Sequence, residues 1–373
     1  MNILFKKINH ISKKTFNLLI VFLSTILIQY ELKSQTQFGI TLCGAEFGAG
    51  NLPGILGKDY IYPSQHDIQY FNQKGAEIIQ LPFRWERLQK NLGGPLDTTE
   101  LGYINRFIDV CLQHGTKVIL IMQNYGRYKI NGVEYVVGSP QVSQEHYKDF
   151  WKKFAEKFTY KINIYAYGIM SEPNNMQGYS WYDAAQKAIY GIREVDRHTT
   201  ILVDGENYSN PFTWVAYNDM LKYLRDPINR LVFNAHCYFD RDFSGSYKDS
   251  YENSGADEWI GVRRLKPFVD WLKQNRLRGY VGEFGVPKND TRWLTVMNRF
   301  LEYIDANGLG GCYWAAGRWW NDYPLSIQPK HGVDQPQLLV YQKYLQGFNT
   351  TSASNYKATN SNTSTTITSN SSR

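Results

Sequence analysis

The chain has 373 residues, of which 43% are hydrophobic, 20% charged and 15% aromatic, with 10 Trp and 28 Tyr. That composition builds a sizeable core and excludes collagen, coiled coil and bulk disorder, while the length fits either two ordinary domains or one large α/β barrel. The formal charge of +7 falls to +3 once residues 1–35 are set aside, leaving 36 basic residues against 33 acidic ones. So small an excess argues against a nucleic-acid partner.

In chain order, residues 1–35 read as a signal peptide. Lys6, Lys7, Lys13 and Lys14 precede an apolar run over 17–30. That run is roughly 14 residues, short of the ~20 needed to span a bilayer, so no stable membrane anchor is expected and the protein should be secreted, to the periplasm or the outside.

From residue 36 to 348, short apolar runs alternate with amphipathic stretches. The spacing predicts strands at Gly39–Cys43, Ile78–Pro82, Lys117–Met122, Tyr165–Ile169, Thr200–Asp204, Leu231–His236, Arg278–Gly282 and Gly310–Trp314. Helices are expected at Ser64–Lys74, Thr98–His114, Ser143–Phe158, Ser180–Arg197, Gly261–Gln274 and Arg292–Asn307. In Thr98–His114, for example, Leu101, Ile104, Ile108 and Leu112 keep the three-to-four spacing of a helix packed on one side. Eight strands with helices between them predict a single α/β domain, a (β/α)8 TIM barrel. A doubly wound sheet is the competing arrangement, but no G-x-G-x-x-G or P-loop follows a strand. Residues 349–373 form a Ser/Thr/Asn tract, 19 of 25 residues, and are expected to be a disordered tail. Cys43, Cys111, Cys237 and Cys312 form no C-x-x-C pair. They are expected to be buried thiols, with no zinc site.

A barrel of this kind does its chemistry at the carboxyl ends of its strands. Those ends supply Arg84, Asn124, Glu172, His236, Tyr238, Glu283 and Trp314. Two carboxylates converging over a barrel mouth, with an arginine, a tyrosine and a flat ring for a pyranose face, are the groups that cleave a glycosidic bond. One Glu must be protonated to donate to the leaving oxygen, and the other ionised to attack the anomeric carbon. Glu46, after the first strand, is either a structural salt bridge or a site residue. Trp319 and Trp320 either line a further sugar subsite or form a lid.

Several motifs add a resemblance. Gly282-Glu-Phe-Gly285, Ser171-Glu-Pro173, Leu81-Pro-Phe-Arg-Trp-Glu-Arg-Leu88, Asn124-Tyr-Gly-Arg-Tyr128 and Tyr313-Trp-Ala-Ala-Gly317 resemble those of glycoside hydrolase family 5, endo-β-1,4-glucanase branch. A Gly-Ala-Glu-Phe-Gly segment at Gly44–Gly48 fits the same branch. The likeness runs over residues 38–330. It implies a retaining barrel without cofactor or metal, with Glu172 as acid/base and Glu283 as nucleophile. It further implies Arg84 beside the nucleophile, Tyr238 bonded to it, His236 near the acid/base and Trp314 under the reacting sugar. Arg84 and Tyr238 should then lower the pKa of Glu283.

Two positions depart from the family pattern. Ser171 stands where the family has Asn, and Gln123 where it has His. Both family residues line the reacting subsite, so the exchanges point to a changed sugar or linkage. The expected protein is a monomeric, secreted endo-glycosidase acting on a polysaccharide, by default a β-1,4-glucan. The alternatives are the same mechanism on a different or decorated polymer, and an inactive barrel that only binds glycans.

Overall fold

The computed structural model describes residues 37–345; the expected signal peptide and Ser/Thr/Asn tail lie outside the described residues. Among the described residues ten strands occur: β1 Phe38–Leu42, β2 Ile78–Phe83, β3 Lys117–Met122, β4 Arg127–Ile130, β5 Val133–Val136, β6 Ile164–Gly168, β7 Thr200–Asp204, β8 Leu231–His236, β9 Gly279–Phe284 and β10 Gly310–Ala316. Eight of them close into an all-parallel barrel in the order β1-β10-β9-β8-β7-β6-β3-β2, while β4 and β5 form a separate antiparallel hairpin. The fold is the expected (β/α)8 barrel.

The principal helices are α1 Gln65–Gln73, α2 Trp85–Leu88, α3 Thr98–Gln113, α4 Gln144–Phe158, α5 Trp181–Arg193, α6 Trp214–Asn218, α7 Ile260–Asn275, α8 Thr291–Ala306 and α9 Pro336–Leu345. Five begin where a short polar side chain accepts a hydrogen bond from the first turn: Ser64, Asp97, Ser143, Ser180 and Asp290. Such caps satisfy donors that the helix itself leaves free.

The strands bury both faces, so they read as near-continuous apolar runs. Ile78, Ile119, Ile121, Ala166, Leu202, Tyr280 and Cys312 form one buried cluster, and a larger one includes Leu81, Trp151, Phe154, Val281 and Phe300. On a strand with period two, neighbours such as Tyr280 and Val281 face opposite sides, one cluster inside the barrel and the other beneath the helices. All four cysteines are buried and unpaired, as expected. No helix among the described residues is long and apolar enough to cross a membrane.

Candidate active site

Glu172 lies four residues beyond β6, in the left-handed backbone region with φ 51°. For a non-glycine residue this costs on the order of 1–3 kcal/mol and persists only where the surroundings fix it. Here the Glu172 N–H donates to Oδ2 of Asp204, the last residue of β7, at 3.1 Å. The turn aims the side chain at His236, whose Nδ1 stands 2.8 Å from Glu172 Oε1.

Glu283 comes from the far side of the barrel, and its inward direction is not a matter of simple alternation. On β9, Tyr280 packs in the first of the two buried clusters and Val281 in the second. Strict period two would then turn Glu283 toward the helices. The pairing slips between Ala235 and His236, so that His236 faces Glu283, and slips again against β10 between Gly311 and Tyr313. Irregularities of this kind re-aim a side chain. Tyr238 donates its hydroxyl to Glu283 Oε2 at 2.8 Å. Two glycines permit the approach: a Cβ on Gly282 would lie 2.4 Å from the Asn234 amide, and one on Gly245, whose φ is +72°, would lie 2.7 Å from the Tyr238 ring.

Glu172, His236 and Glu283 thus bring one ligating atom each within 4.8 Å of one another. His236 also reaches Asp204 Oδ2 with Nε2 at 3.2 Å and Glu283 Oε2 with Nδ1 at 3.5 Å. Burial would lower the pKa of the ring, but the charges of Glu283, Asp204 and Glu172 outweigh it and raise the value to about 10. The protonated ring can share its protons among the carboxylates around it.

One expectation is corrected. Glu283 has its pKa raised, not lowered: burial pushes it up, and the pull of His236 and the Tyr238 hydroxyl does not offset that. Arg84 forms no ion pair with Glu283 among the described residues. It donates from Nε to the Glu46 carbonyl at 2.9 Å and lies over the Tyr125 ring, 5.6 Å from its centroid. Glu46 forms no salt bridge either; its Oε2 accepts from the Gly44 N–H at 2.8 Å.

The remaining expected residues divide between scaffold and pocket. Asn124 is scaffold: its amide accepts from the Trp85 N–H at 2.9 Å and donates to Glu86 Oε2 at 2.8 Å and the Arg127 carbonyl at 3.1 Å. Gln123 and Ser171 are both buried. Gln123 Nε2 stands 3.4 Å from the Tyr125 hydroxyl, while Gln123 Oε1 and Ser171 Oγ have no hydrogen-bond partner. Trp314 is half-buried at the end of β10, with its ring edge-on to Trp320 at 6.0 Å. Trp320 packs between Phe47 and Tyr323, at 4.8 and 4.3 Å between ring centroids. That placement favours a packing role for Trp320.

Three residues escaped the sequence reading: Asp204, Asn234 and Tyr125. Asp204 ended a predicted strand, so the strand-end rule that picked Glu172 could have found it. A groove of about 270 Å³ runs past Arg84 and Tyr125, with Asn174 and Tyr208 also in its wall. A larger hollow of about 550 Å³ opens at the amino ends of β8 and β9, lined by Arg225, Arg276 and Arg278. Asp226 is its one carboxylate, paired with Arg193, so it lacks the chemistry of the mouth.

A closed (β/α)8 barrel with two facing carboxylates at the carboxyl ends of its strands has the parts of a glycoside hydrolase. The chain belongs to the cellulase family, glycosyl hydrolase family 5, whose sequence model matches residues 36–320. It is 32% identical over 301 residues to endo-β-1,4-glucanase B of Emericella nidulans, covering 80% of this chain and 88% of the relative. Among solved structures, Pseudomonas stutzeri endoglucanase Cel5A in complex with cellobiose is similar with a TM-score of 0.79 and 37% identity, covering 83% of this chain and 92% of that one. The endo-β-1,4-glucanase Xac0029 of Xanthomonas axonopodis pv. citri is similar with a TM-score of 0.78 and 32% identity, covering 83% and 98%.

Proposed function

We propose that this glycoside hydrolase is a secreted, retaining endo-β-1,4-glucanase that works by double displacement. Glu283 is the nucleophile and Glu172 the acid/base. The observation that carries this reading is the convergence of the two carboxylates, which bring one oxygen each within 4.8 Å of the other. Retaining enzymes hold the pair about 5–5.5 Å apart, too close for a water to attack from between them, whereas inverting enzymes need about 6.5–9.5 Å. Tyr238 holds Glu283 Oε2, and Oε1, which has no hydrogen-bond partner, is the oxygen that attacks. Glu172, half-buried and held by His236, donates to the leaving oxygen and then deprotonates the water that frees the glycosyl enzyme. Arg84, Tyr125 and Trp314 line the sugar path.

The β-1,4-glucan preference draws on the named relatives. A second reading keeps the mechanism and changes the sugar. It is favoured by the two unpartnered buried atoms, Ser171 Oγ and Gln123 Oε1, since unpaired polar atoms beside a reacting sugar cost about 1–3 kcal/mol each unless the ligand meets them. Incubating the purified protein with a panel of polysaccharides and weighing the products separates the two. Mixed-length oligosaccharides from soluble β-1,4-glucan support the first. Release from a mannan or a decorated glucan alone supports the second. Binding without cleavage of any polymer overturns both.

A further inference from the structure

Asp204 is a fully buried carboxylate that the double displacement does not use. Its oxygens nevertheless hold the site together from below. Oδ2 accepts from the Glu172 N–H at 3.1 Å and faces His236 Nε2 at 3.2 Å, while Oδ1 accepts from Asn234 Nδ2 at 2.7 Å. The Trp181 indole fixes its backbone by donating to the Asp204 carbonyl at 2.8 Å. A buried anion without such donors would be costly, so the arrangement is built rather than incidental.

We propose that Asp204 is a positioning residue for the glycosidase reaction: it locks the left-handed backbone of Glu172 and holds the His236 ring with Nε2–H on itself and Nδ1–H on the Glu172 carboxyl. The inference rests on Glu172 and Glu283 being the reacting pair. With Nε2–H on Asp204, the ring has one remaining donor, and Nδ1 lies 2.8 Å from Glu172 and 3.5 Å from Glu283. One imidazolium then serves three carboxylates, and removing Asp204 removes the anion that anchors its outer nitrogen.

The groups that set the titration of His236 are Glu172 beyond β6, Asp204 on β7 and Glu283 on β9, with Tyr238, beyond the ring's own strand, acting through Glu283. Those around Asp204 are His236, Glu172 and the Tyr147 hydroxyl from α4. Burial raises Asp204 to about 6 despite His236 and Asn234, so it is ionised above that pH.

The test is Asp204→Asn in the full chain. An amide keeps the shape but loses the charge. On whichever polysaccharide the native enzyme cleaves, kcat should fall at least 10-fold with KM within about threefold. The alkaline limb of kcat/KM should move down by about one pH unit or more, because an opposite charge at this range shifts a pKa by about 1–3 units. A variant that loses stability but keeps the native alkaline limb shows a structural role only and overturns the proposal. Nitrogen NMR of the native protein, with His236 assigned by its loss in His236→Gln, tests the ring independently of substrate and of the variant's folding. Two protonated ring nitrogens at pH 8 are expected. A neutral ring whose Nε2 accepts from Asn234 Nδ2, 3.3 Å away, contradicts it. If no polysaccharide is cleaved, the reading of function fails while the NMR result still decides the role of Asp204.

Discussion

The Tyr238 hydroxyl donates to Glu283 Oε2 at 2.8 Å and leaves Oε1 buried without a partner. One oxygen of the carboxylate is thereby fixed and the other left without a hydrogen bond, the oxygen that would attack the sugar. The bond also works against burial, which pushes the Glu283 carboxyl up and favours its inactive, protonated form. Tyr238→Phe should lower kcat by roughly 10- to 100-fold, from the ~1.5–3 kcal/mol of a hydrogen bond to a charged group. The acid limb of kcat/KM should move to higher pH, because Glu283 then needs a higher pH to ionise. An unmoved acid limb would show that Tyr238 packs without tuning the nucleophile.

Glu283→Gln should abolish turnover with folding intact, because an amide cannot form the glycosyl enzyme. Retention of more than about a hundredth of the activity would place the nucleophile elsewhere, since positioned acid–base help alone contributes 10²–10⁴-fold. Azide should restore turnover to Glu283→Gly and give a glycosyl azide of inverted configuration.

Ser171 and Gln123 give a sharper test of the sugar. Ser171→Asn with Gln123→His should raise activity on plain β-1,4-glucan if the native pocket is adapted to another residue. Each hydrogen bond gained to a ring hydroxyl contributes about 1–3 kcal/mol, or roughly 5- to 150-fold. Activity on the adapted substrate should fall, because the larger side chains fill its space. A native enzyme already fast on soluble cellulose derivatives would end the adaptation idea.

The cluster also predicts how stability depends on pH. Asp204, Glu283 and His236 all have folded-state pKa values above their ordinary ones, with His236 moved from 6.5 to about 10. Each binds its proton more tightly folded than unfolded, so each contribution is present at low pH and lost as pH rises through the folded value. For His236 the loss runs between about pH 6.5 and 10. Urea midpoints should fall across that window, and fall less in His236→Gln. Equal slopes in the two proteins would mean that His236 is not the group responsible.

Much of this site was legible in the sequence because a parallel barrel puts chemistry at strand ends, and those ends can be read from apolar runs. The helices were legible through the three-to-four spacing of their apolar residues. The hairpin β4–β5 went unread although Asn131-Gly132 carries its signal: φ is 48° and 83° there, the pair of positive angles that a two-residue hairpin turn takes. The direction of Glu283 could not be read, because it depends on slipped pairing with both neighbouring strands. Arg84 and Asn124 lie in the expected motifs, but their partners turned out to be backbone carbonyls, a backbone N–H and Glu86. Such partners depend on how loops fold over one another, which spacing alone does not fix.

The central claim is that Glu283 attacks the sugar directly and Glu172 assists from the other face. Proton NMR of the first reducing ends released from a soluble β-1,4-glucan tests it most directly, read before the anomers equilibrate. Two displacements keep the configuration, so the β anomer should appear first and the α anomer only later by mutarotation. Initial release of the α anomer would mean a single displacement by water and would contradict the assignment of the pair.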